Sequence, residues 1–403
     1  MNLVELRNLN LWFNDPYRFL DKALVELGDT FYLKLPGMGK NLVTGNQELI
    51  ESIQANKYLI GGRGSKFLHH LVGPSVITLE GSNHTDIRRK LNPYFFQNIE
   101  QEKIRSISKA SCFDYLELIK KNEIISITDW TNLVTLKTII NFLFDDLDIK
   151  ERDELFQLIT AWKASLKNSA YFFVKPLQIN LSKNFGWGKY LDNRNKVHEK
   201  LKILINSKIK NNGLFSKMIH DFGWNDQQIL YETVSLLMFG HDTSAILIGW
   251  WVRNILTYHY WDKNIEIELL NSSLKESTRI TPPVIHLTRV ANSLTSVGDY
   301  QINENEKVFP CIYLSHMNPN NFEQPKRFII DRFTSKQFPN STYFPFGFGD
   351  RLCLGKIFAE IQTLEIAKIL LEEKNLQLVN QHVPAKRQFF LMVPENGTLV
   401  KSI

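Results

Sequence analysis

One stretch near the C-terminus, Phe344-Pro345-Phe346-Gly347-Phe348-Gly349-Asp350-Arg351-Leu352-Cys353-Leu354-Gly355, constrains this chain more than any other. A glycine-rich loop there delivers a cysteine to the start of a strongly apolar helix. Backbone amides and a helix N-terminus converge on such a position, and both favour an anion. These surroundings lower a thiol's pKa and suit it to ligate a metal or act as a nucleophile. Gly347 and Gly349 let the backbone turn tightly beside the sulfur. Arg351 offers a planar donor fork for a carboxylate, and Gly355 leaves room for something flat and bulky against the first helical turn. A lone cysteine is more often core filling. The full spacing from Phe346 through Gly349, Arg351 and Cys353 to Gly355 is a far more specific signal.

The remaining chain must supply a body for that loop. Its 403 residues, 43% of them hydrophobic, are enough for a large buried core. Cys112, Cys311 and Cys353 cannot form a disulfide framework in a chain this long, which fits a reducing compartment. The start, Met1 to Arg7, lacks the basic-then-apolar layout of a signal peptide. The most hydrophobic stretch, 229–256, contains Glu232, Asp242 and Arg253 and does not read as a bilayer span. A soluble, cytoplasmic protein without a transmembrane anchor is expected. The net charge of +6 is modest and spread along the chain. With no arginine-rich tract and no nucleic-acid module, nucleic-acid binding is not expected.

Local patterns give a mainly α chain with small β-sheets, an α+β fold. A short helix is expected over 15–27, then strands Thr30–Leu35 and Asn41–Thr44 joined by Pro36-Gly37-Met38-Gly39, a strong turn signal. Asn46 is placed to cap a helix over 47–55. Residues 58–76 are irregular and apolar, and Leu79 to Lys90 opens a helix in which His84 and Arg88 share a face. Residues 99–160 read as helical throughout, and 161–190 break that regularity with many aromatics. Asn225 and Gln228 form a capping-box pattern, followed by a helical pattern to about Tyr258. At ~1.5 Å per residue that helix would be ~50 Å long. Midway it carries Gly240-His241-Asp242-Thr243-Ser244, odd polar content for an apolar helix. No repeat, low-complexity tract or linker divides the chain.

The cysteine loop resembles the haem-binding loop of the cytochrome P450 family, and the similarity runs from about residue 28 to 400 with further motifs in order. It implies a single domain over 1–403, with a β-rich part at about 28–60, a helical body at about 75–280 and the haem-binding loop at 344–355. It implies haem b, with Cys353 as the iron ligand and Phe346, Gly347, Gly355 and Gly240 against the ring. His84, Arg88, Arg289 and Arg351 would hold the propionates. The run Phe239 to Ser244 resembles the family's oxygen-activation motif, with Asp242 relaying protons and Thr243 holding oxygen and its water. Phe239 departs from the pattern, standing where a small residue is usual. Glu276-x-x-Arg279 and the later Arg332 resemble the buried network that braces the cysteine loop. Phe67, Leu71, Val72, Phe239, Val284, Ile285, Phe389 and Phe390 match substrate-facing positions, and 161–190 matches a mobile lid. His286 is as consistent with packing as with function.

The resemblance implies a monooxygenase acting on a lipophilic or biosynthetic small molecule. Oxidative coupling or peroxide-driven oxidation is the alternative, and a haem sensor or carrier a third reading. Neither a Gly-x-Gly-x-x-Gly fingerprint nor a cysteine set for an iron–sulfur cluster is present. Electrons from NAD(P)H would therefore arrive through a separate ferredoxin or flavodoxin and its reductase. Lys356, Arg89 and Lys90 are candidate docking contacts. A monomer is expected.

Overall fold

The alternating apolar residues of Thr30–Leu35 bury Phe31, Leu33 and Leu35 on one face of a sheet. In this computed structural model, which describes residues 3–4, 9–35, 39–145, 147–166, 178, 180, 182–207 and 213–403, that strand joins a six-stranded sheet. The strands are β1 (Leu3–Val4), β2 (Thr30–Leu35), β3 (Gly39–Thr44) and β4 (Leu59–Ile60), followed much later by β6 (Arg289–Ala291) and β9 (Lys307–Pro310). Their order is β1-β2-β3-β9-β6-β4. The β2–β3 pair is antiparallel, with Thr30 opposite Thr44. Of the expected turn, 36–38 lie outside the described residues. A three-stranded sheet has β13 (Leu399–Ser402) between β5 (Ile124–Ser126) and β10 (Leu376–Leu378). Among the described residues two hairpins add to the β structure, β7 (Thr295–Val297) with β8 (Tyr300–Ile302) and β11 (Ala385–Gln388) with β12 (Leu391–Pro394).

Helices make up most of the remainder: α1 (Leu9–Asn14), α2 (Pro16–Leu27), α3 (Gln47–Ala55), α4 (His69–Val72), α5 (Gly81–Phe96), α6 (Asn98–Leu116), α7 (Ile127–Leu143), α8 (Ile149–Ser165), α9 (Gly186–Asn206), α10 (Leu214–His220), α11 (Asp226–Phe239), α12 (Asp242–Thr257), α13 (Ile267–Ile280), α14 (Ile312–Met317) and α15 (Lys356–Glu373). Asp15 and Asn46 cap α2 and α3 through Arg18 N and Leu49 N. Asn225 caps α11 through Gln228 N at 2.9 Å, but the Gln228 side chain bonds Glu232, so only half of a capping box forms. Helix α12 buries Ile246, Ile248, Trp250, Trp251, Val252 and Ile255 and packs against α7 and α13. A helix apolar nearly all round belongs inside the molecule.

Three helical expectations are corrected. The run 99–160 is not continuous, because Ile124–Ser126 leaves the helical path to pair with β13. That pairing partner is more than 270 residues away, beyond any local pattern. The ~50 Å helix is two helices broken at Gly240–His241. There the His241 ring lies 2.6 Å from the Leu237 carbonyl, Nδ1 to O, taking an acceptor that an unbroken helix would give to the backbone. In the aromatic segment, α8 continues to Ser165 and α9 starts at Gly186, while 167–177, 179 and 181 lie outside the described residues. The lid expectation therefore falls mainly outside them. Trp162 and Trp187, at its edges, are buried.

Candidate functional site

The cysteine loop closes on itself. Gly347 and Gly349 have φ of 76° and 63°, values that favour glycine. Cys353 N–H donates to Phe346 O at 2.8 Å, and α15 starts three residues on. Cys353 is accessible to solvent, yet burial raises its thiol pKa, with the Gly355 amide and Arg88 pulling the other way. The sulfur is reachable by solvent but set among groups that desolvate it. The expected lowering is thus overturned in the metal-free thiol, because desolvation outweighs the amides. A coordinating metal would remove the proton outright. A Cβ added to Gly355 would meet nothing within 4 Å.

Four basic residues from three elements gather around this loop. His84 and Arg88 are one turn apart on α5, Arg289 starts β6, and Arg351 precedes the cysteine. Arg88 donates to Leu352 O at 2.8 Å, and Arg351 donates to Gly61 O at 3.1 Å, Val76 O at 3.3 Å and also to Leu79 O. Arg351 Nε is buried with no hydrogen-bond partner. Arg289 lies 5.0 Å over the Phe348 ring and reaches only Thr288 O, at 3.2 Å, among the described residues. Burial lowers the pKa of Arg88 and Arg351, and that of Arg289 to about 10. His84 is pushed down to about 4 by burial and then by Arg351 and Arg88, so it is neutral at pH 7. Asp350, largely exposed and 3.9 Å from Arg351, and Glu80, which also acts on Arg351 but pairs with Arg63 at 3.3 Å, are meagre counter-charges for three guanidiniums. The cluster is short of carboxylates, and a ligand bearing two would complete it.

At the break between α11 and α12, Lys163 of α8 reaches three groups: the Asp242 carboxylate, His241 Nε2 at 2.7 Å and Asn132 Oδ1 at 3.1 Å. Burial works to raise the Asp242 pKa, but His241 and Lys163 prevail and hold it below the usual value. His241 is fully buried and pushed down to about 4 by burial and Lys163. Thr243 is half-buried, and its hydroxyl has no hydrogen-bond partner among the described residues. Gly240 faces Leu236 O and Ile139 of α7, which a side chain would strike.

The pocket candidates divide. Phe239 is half-buried with its ring 5.7 Å from Phe390, which packs 5.1 Å from Phe389. Leu71 and Val72 are buried on α4 in the same apolar cluster. Val284 is half-buried, whereas Ile285 is 2% exposed and packs in the core with Trp12, Phe19 and Phe309. The Phe67 side chain lies outside the described residues. His286 is stacked between Trp12 at 5.5 Å and Phe309 at 4.5 Å.

Behind the loop, Glu276 accepts from Arg279 at 2.7 and 2.8 Å, from Arg332 at 3.0 and 3.1 Å, and from Ile329 N at 3.0 Å. Arg279 also donates to His316 O and Pro325 O. His316 packs edge-on against Phe344, and Phe344 against Phe348 within the cysteine loop.

Sequence reasoning missed Lys163 and His241, and it read Glu232 only as a charge unsuited to a membrane. The acid's buried carboxyl on α11 accepts Val76 N at 2.9 and 3.1 Å and Gln228 Nε2 at 2.7 Å. The Gln228–Glu232 spacing of four was the available signal. Burial raises the Glu232 pKa from 4.5 to about 8 against those bonds. The folded state therefore holds this proton more tightly than the unfolded chain. Glu232's contribution to stability should be greatest below about pH 4.5 and decline as the pH rises to about 8. Urea titrations from pH 5 to 8 on wild type and Glu232→Gln test this. The variant should lose that part of the slope, and identical slopes would contradict it.

The arrangement has counterparts of the same fold. The crystal structure of CYP175A1 from Thermus thermophilus superposes with a TM-score of 0.82 at 19% identity, covering 100% of both chains. A cytochrome P450DA heme domain gives 0.83 at 17% identity, covering 99% of this chain and 96% of that one. These likenesses define a P450 fold. A family model described as "Cytochrome P450" matches residues 1–265 and 252–401, and the chain belongs to that family. Putative cytochrome P450 135B1 of Mycobacterium tuberculosis is 27% identical over 191 residues, 44% of this chain and 40% of that protein. Putative cytochrome P450 135A1 of the same species is 24% identical over 370 residues, 85% of this chain and 80% of that protein. A sterol 14alpha-demethylase of Mycolicibacterium vanbaalenii is 28% identical over 169 residues, 36% of this chain and 37% of that protein. Family membership implies a haem cofactor. The accessible thiol, the open side of Gly355 and the carboxylate-poor basic cluster fit a haem with two propionates. Among the described residues, no helix is long and apolar enough to cross a membrane.

Proposed function

We propose that this chain is a haem-thiolate monooxygenase that hydroxylates or epoxidises a lipophilic or biosynthetic small molecule, working as one domain over 1–403. The observation that carries this reading is the accessible Cys353 thiol in a loop around which His84, Arg88, Arg289 and Arg351 gather. The group is haem b, and when bound, a thiolate-ligated haem supplies O–O cleavage by pushing electron density through the iron. Cys353 would hold the iron, with the Gly355 amide moderating the sulfur's charge. Arg88, Arg289 and Arg351 would hold the two propionates, with neutral His84 as a further donor. Phe346, Gly347 and Gly355 would border the ring, with Gly240 on the opposite side.

Protons have to reach the oxygen being reduced. Asp242 and Lys163 are each only partly exposed, with side-chain accessibilities of 27% and 21%. The pair would take protons from solvent on one side and pass them to Thr243 on the other. The Thr243 hydroxyl, which has no partner among the described residues, is suited to hold oxygen and a water by hydrogen bonding. Phe239, Leu71, Val72, Val284, Phe389 and Phe390 would exclude bulk water and hold an apolar substrate, and Phe67 is assigned with them by resemblance.

Electrons would come from NAD(P)H through a ferredoxin or flavodoxin to a monomeric, cytoplasmic protein. Lys90 is a poor docking contact, because its ammonium is engaged by Phe222 O and lies 5.8 Å over Trp224. Arg89 and Lys356 remain candidates. Arg105, Lys109 and Lys368 join them, three cations sharing the buried Glu365 carboxylate.

The intact Asp242–Thr243 pair argues against peroxide-driven chemistry, since peroxide already contains the O–O bond and its protons. With labelled dioxygen, one labelled atom should enter the product. Thr243→Ala should lower oxygen-driven turnover by about tenfold or more and spare peroxide-driven turnover. Equal loss of both would contradict the role given to Thr243, and a product free of the label would contradict the monooxygenase reading.

A further inference from the structure

Glu232 is fully buried on α11, about two turns before the helix break. Both of its oxygens are directed at one backbone amide, Val76 N, at 2.9 and 3.1 Å, and Gln228 Nε2 steadies one of them at 2.7 Å. Among the described residues no cation pairs with it. A carboxyl held in the interior without a cation is costly, and what this one gains is a grip on a single loop residue. The loop matters because of what hangs on it.

Residues 73–79 form a turn knitted to itself. Ser75 O accepts from Thr78 N at 2.8 Å and from Leu79 N at 2.9 Å. Ser75 N donates to Thr78 Oγ1 at 3.0 Å, and that hydroxyl donates to Gly73 O at 2.9 Å. A buried network this fully satisfied is rigid and moves as one body. Gly73, at φ 64°, rests on the Tyr231 ring so closely that a Cβ would come within 2.4 Å of it. The turn therefore meets α11 at two neighbouring residues, Tyr231 and Glu232. On its other side it receives Arg351, which donates to Val76 O at 3.3 Å and also to Leu79 O. Of the three carbonyls that hold the Arg351 guanidinium, only Gly61 O lies outside this turn. Val76 thus faces Glu232 with its N–H and Arg351 with its carbonyl. Helix α5, which carries His84 and Arg88, begins at Gly81, directly after the turn.

We propose that Glu232 is a positioning residue for the haem clamp. By fixing Val76 N–H it sets the 73–79 turn, and through Val76 O and Leu79 O it sets the place of the Arg351 guanidinium. This rests on the reading that Arg351 holds a propionate. Burial keeps the Glu232 carboxyl largely protonated at pH 7, so a neutral acceptor serves the purpose.

Transfer of haem from the loaded protein to a large excess of apomyoglobin tests this. Glu232→Leu strands Val76 N–H in the interior and should release haem about tenfold faster than wild type. Glu232→Gln keeps an acceptor oxygen and, like the protonated acid, has no charge. It should release haem within about twofold of the wild-type rate. The double variant separates positioning from packing. Arg351→Gln should still load haem, because Arg88 and Arg289 remain. It removes the group through which Glu232 acts, so adding Glu232→Leu to it should change the release rate by less than about twofold. If the two losses multiply instead, Glu232 only packs its helix and the proposal is overturned. Release at the wild-type rate from Glu232→Leu would overturn it too. Circular dichroism checks that the leucine variant folds. If it does not, Glu232→Asp, whose carboxyl stops short of Val76 N–H, takes its place with the same expectations. Multiplied losses in a protein with a normal haem-thiolate spectrum would remove this role and keep the enzyme reading. A wild type that takes up no haem would remove both.

Discussion

Glu276→Ala is expected to destabilise the protein by about 3–5 kcal/mol and to abolish retention of haem. The substitution strands two guanidiniums in the interior. Arg279 is fully buried and Arg332 nearly so, at side-chain accessibilities of 0% and 7%. An exposed pair with the same Glu-x-x-Arg spacing would matter by about 0–1 kcal/mol, so the size of the effect separates a brace from a surface contact. The damage should travel along a defined route. Arg279 loses the carboxylate that orients it towards His316 O, and His316 packs on Phe344 at the root of the cysteine loop. Urea unfolding and the haem-to-protein absorbance ratio together measure it. A loss below about 1 kcal/mol with full haem content would mean that the network is not what holds the loop.

Much of this was legible from the chain because the decisive signals are local. The φ values of Gly347 and Gly349 follow from the need for a tight turn before Cys353. The caps at Asp15, Asn46 and Asn225 also lie where short-range patterns put them. One error was local: His241 takes the carbonyl of Leu237, only four residues back, within the polar run that already stood out in the helix. The others came from distant partners. Nothing near residue 124 announces that β13 will claim it. Lys163 was invisible for the same reason, since α8 and the helix break are 79 residues apart in sequence. The thiol pKa went the other way because a sequence shows the amides around Cys353 but not the burial.

The second large effect concerns the ligand itself. Cys353 is the one cysteine of three that solvent can reach, while Cys112 and Cys311 are buried and inert, their thiols pushed up to about 12 by desolvation. Cys311 also stands at a helix start, with the Leu314 and Tyr313 amides against its sulfur, but only Cys353 adds solvent access and Arg88 to stabilise a thiolate once a metal takes the proton. Serine preserves the size of the side chain and removes the soft ligand, so Cys353→Ser should eliminate oxygen-driven turnover while leaving the fold intact. The measurement to make is the absorption spectrum of the purified protein, reduced and exposed to carbon monoxide. The haem-thiolate account requires a strongly red-shifted Soret band in wild type that is absent from Cys353→Ser. A wild-type band at the position typical of histidine-ligated haem, or a red-shifted band that survives the serine substitution, would contradict it.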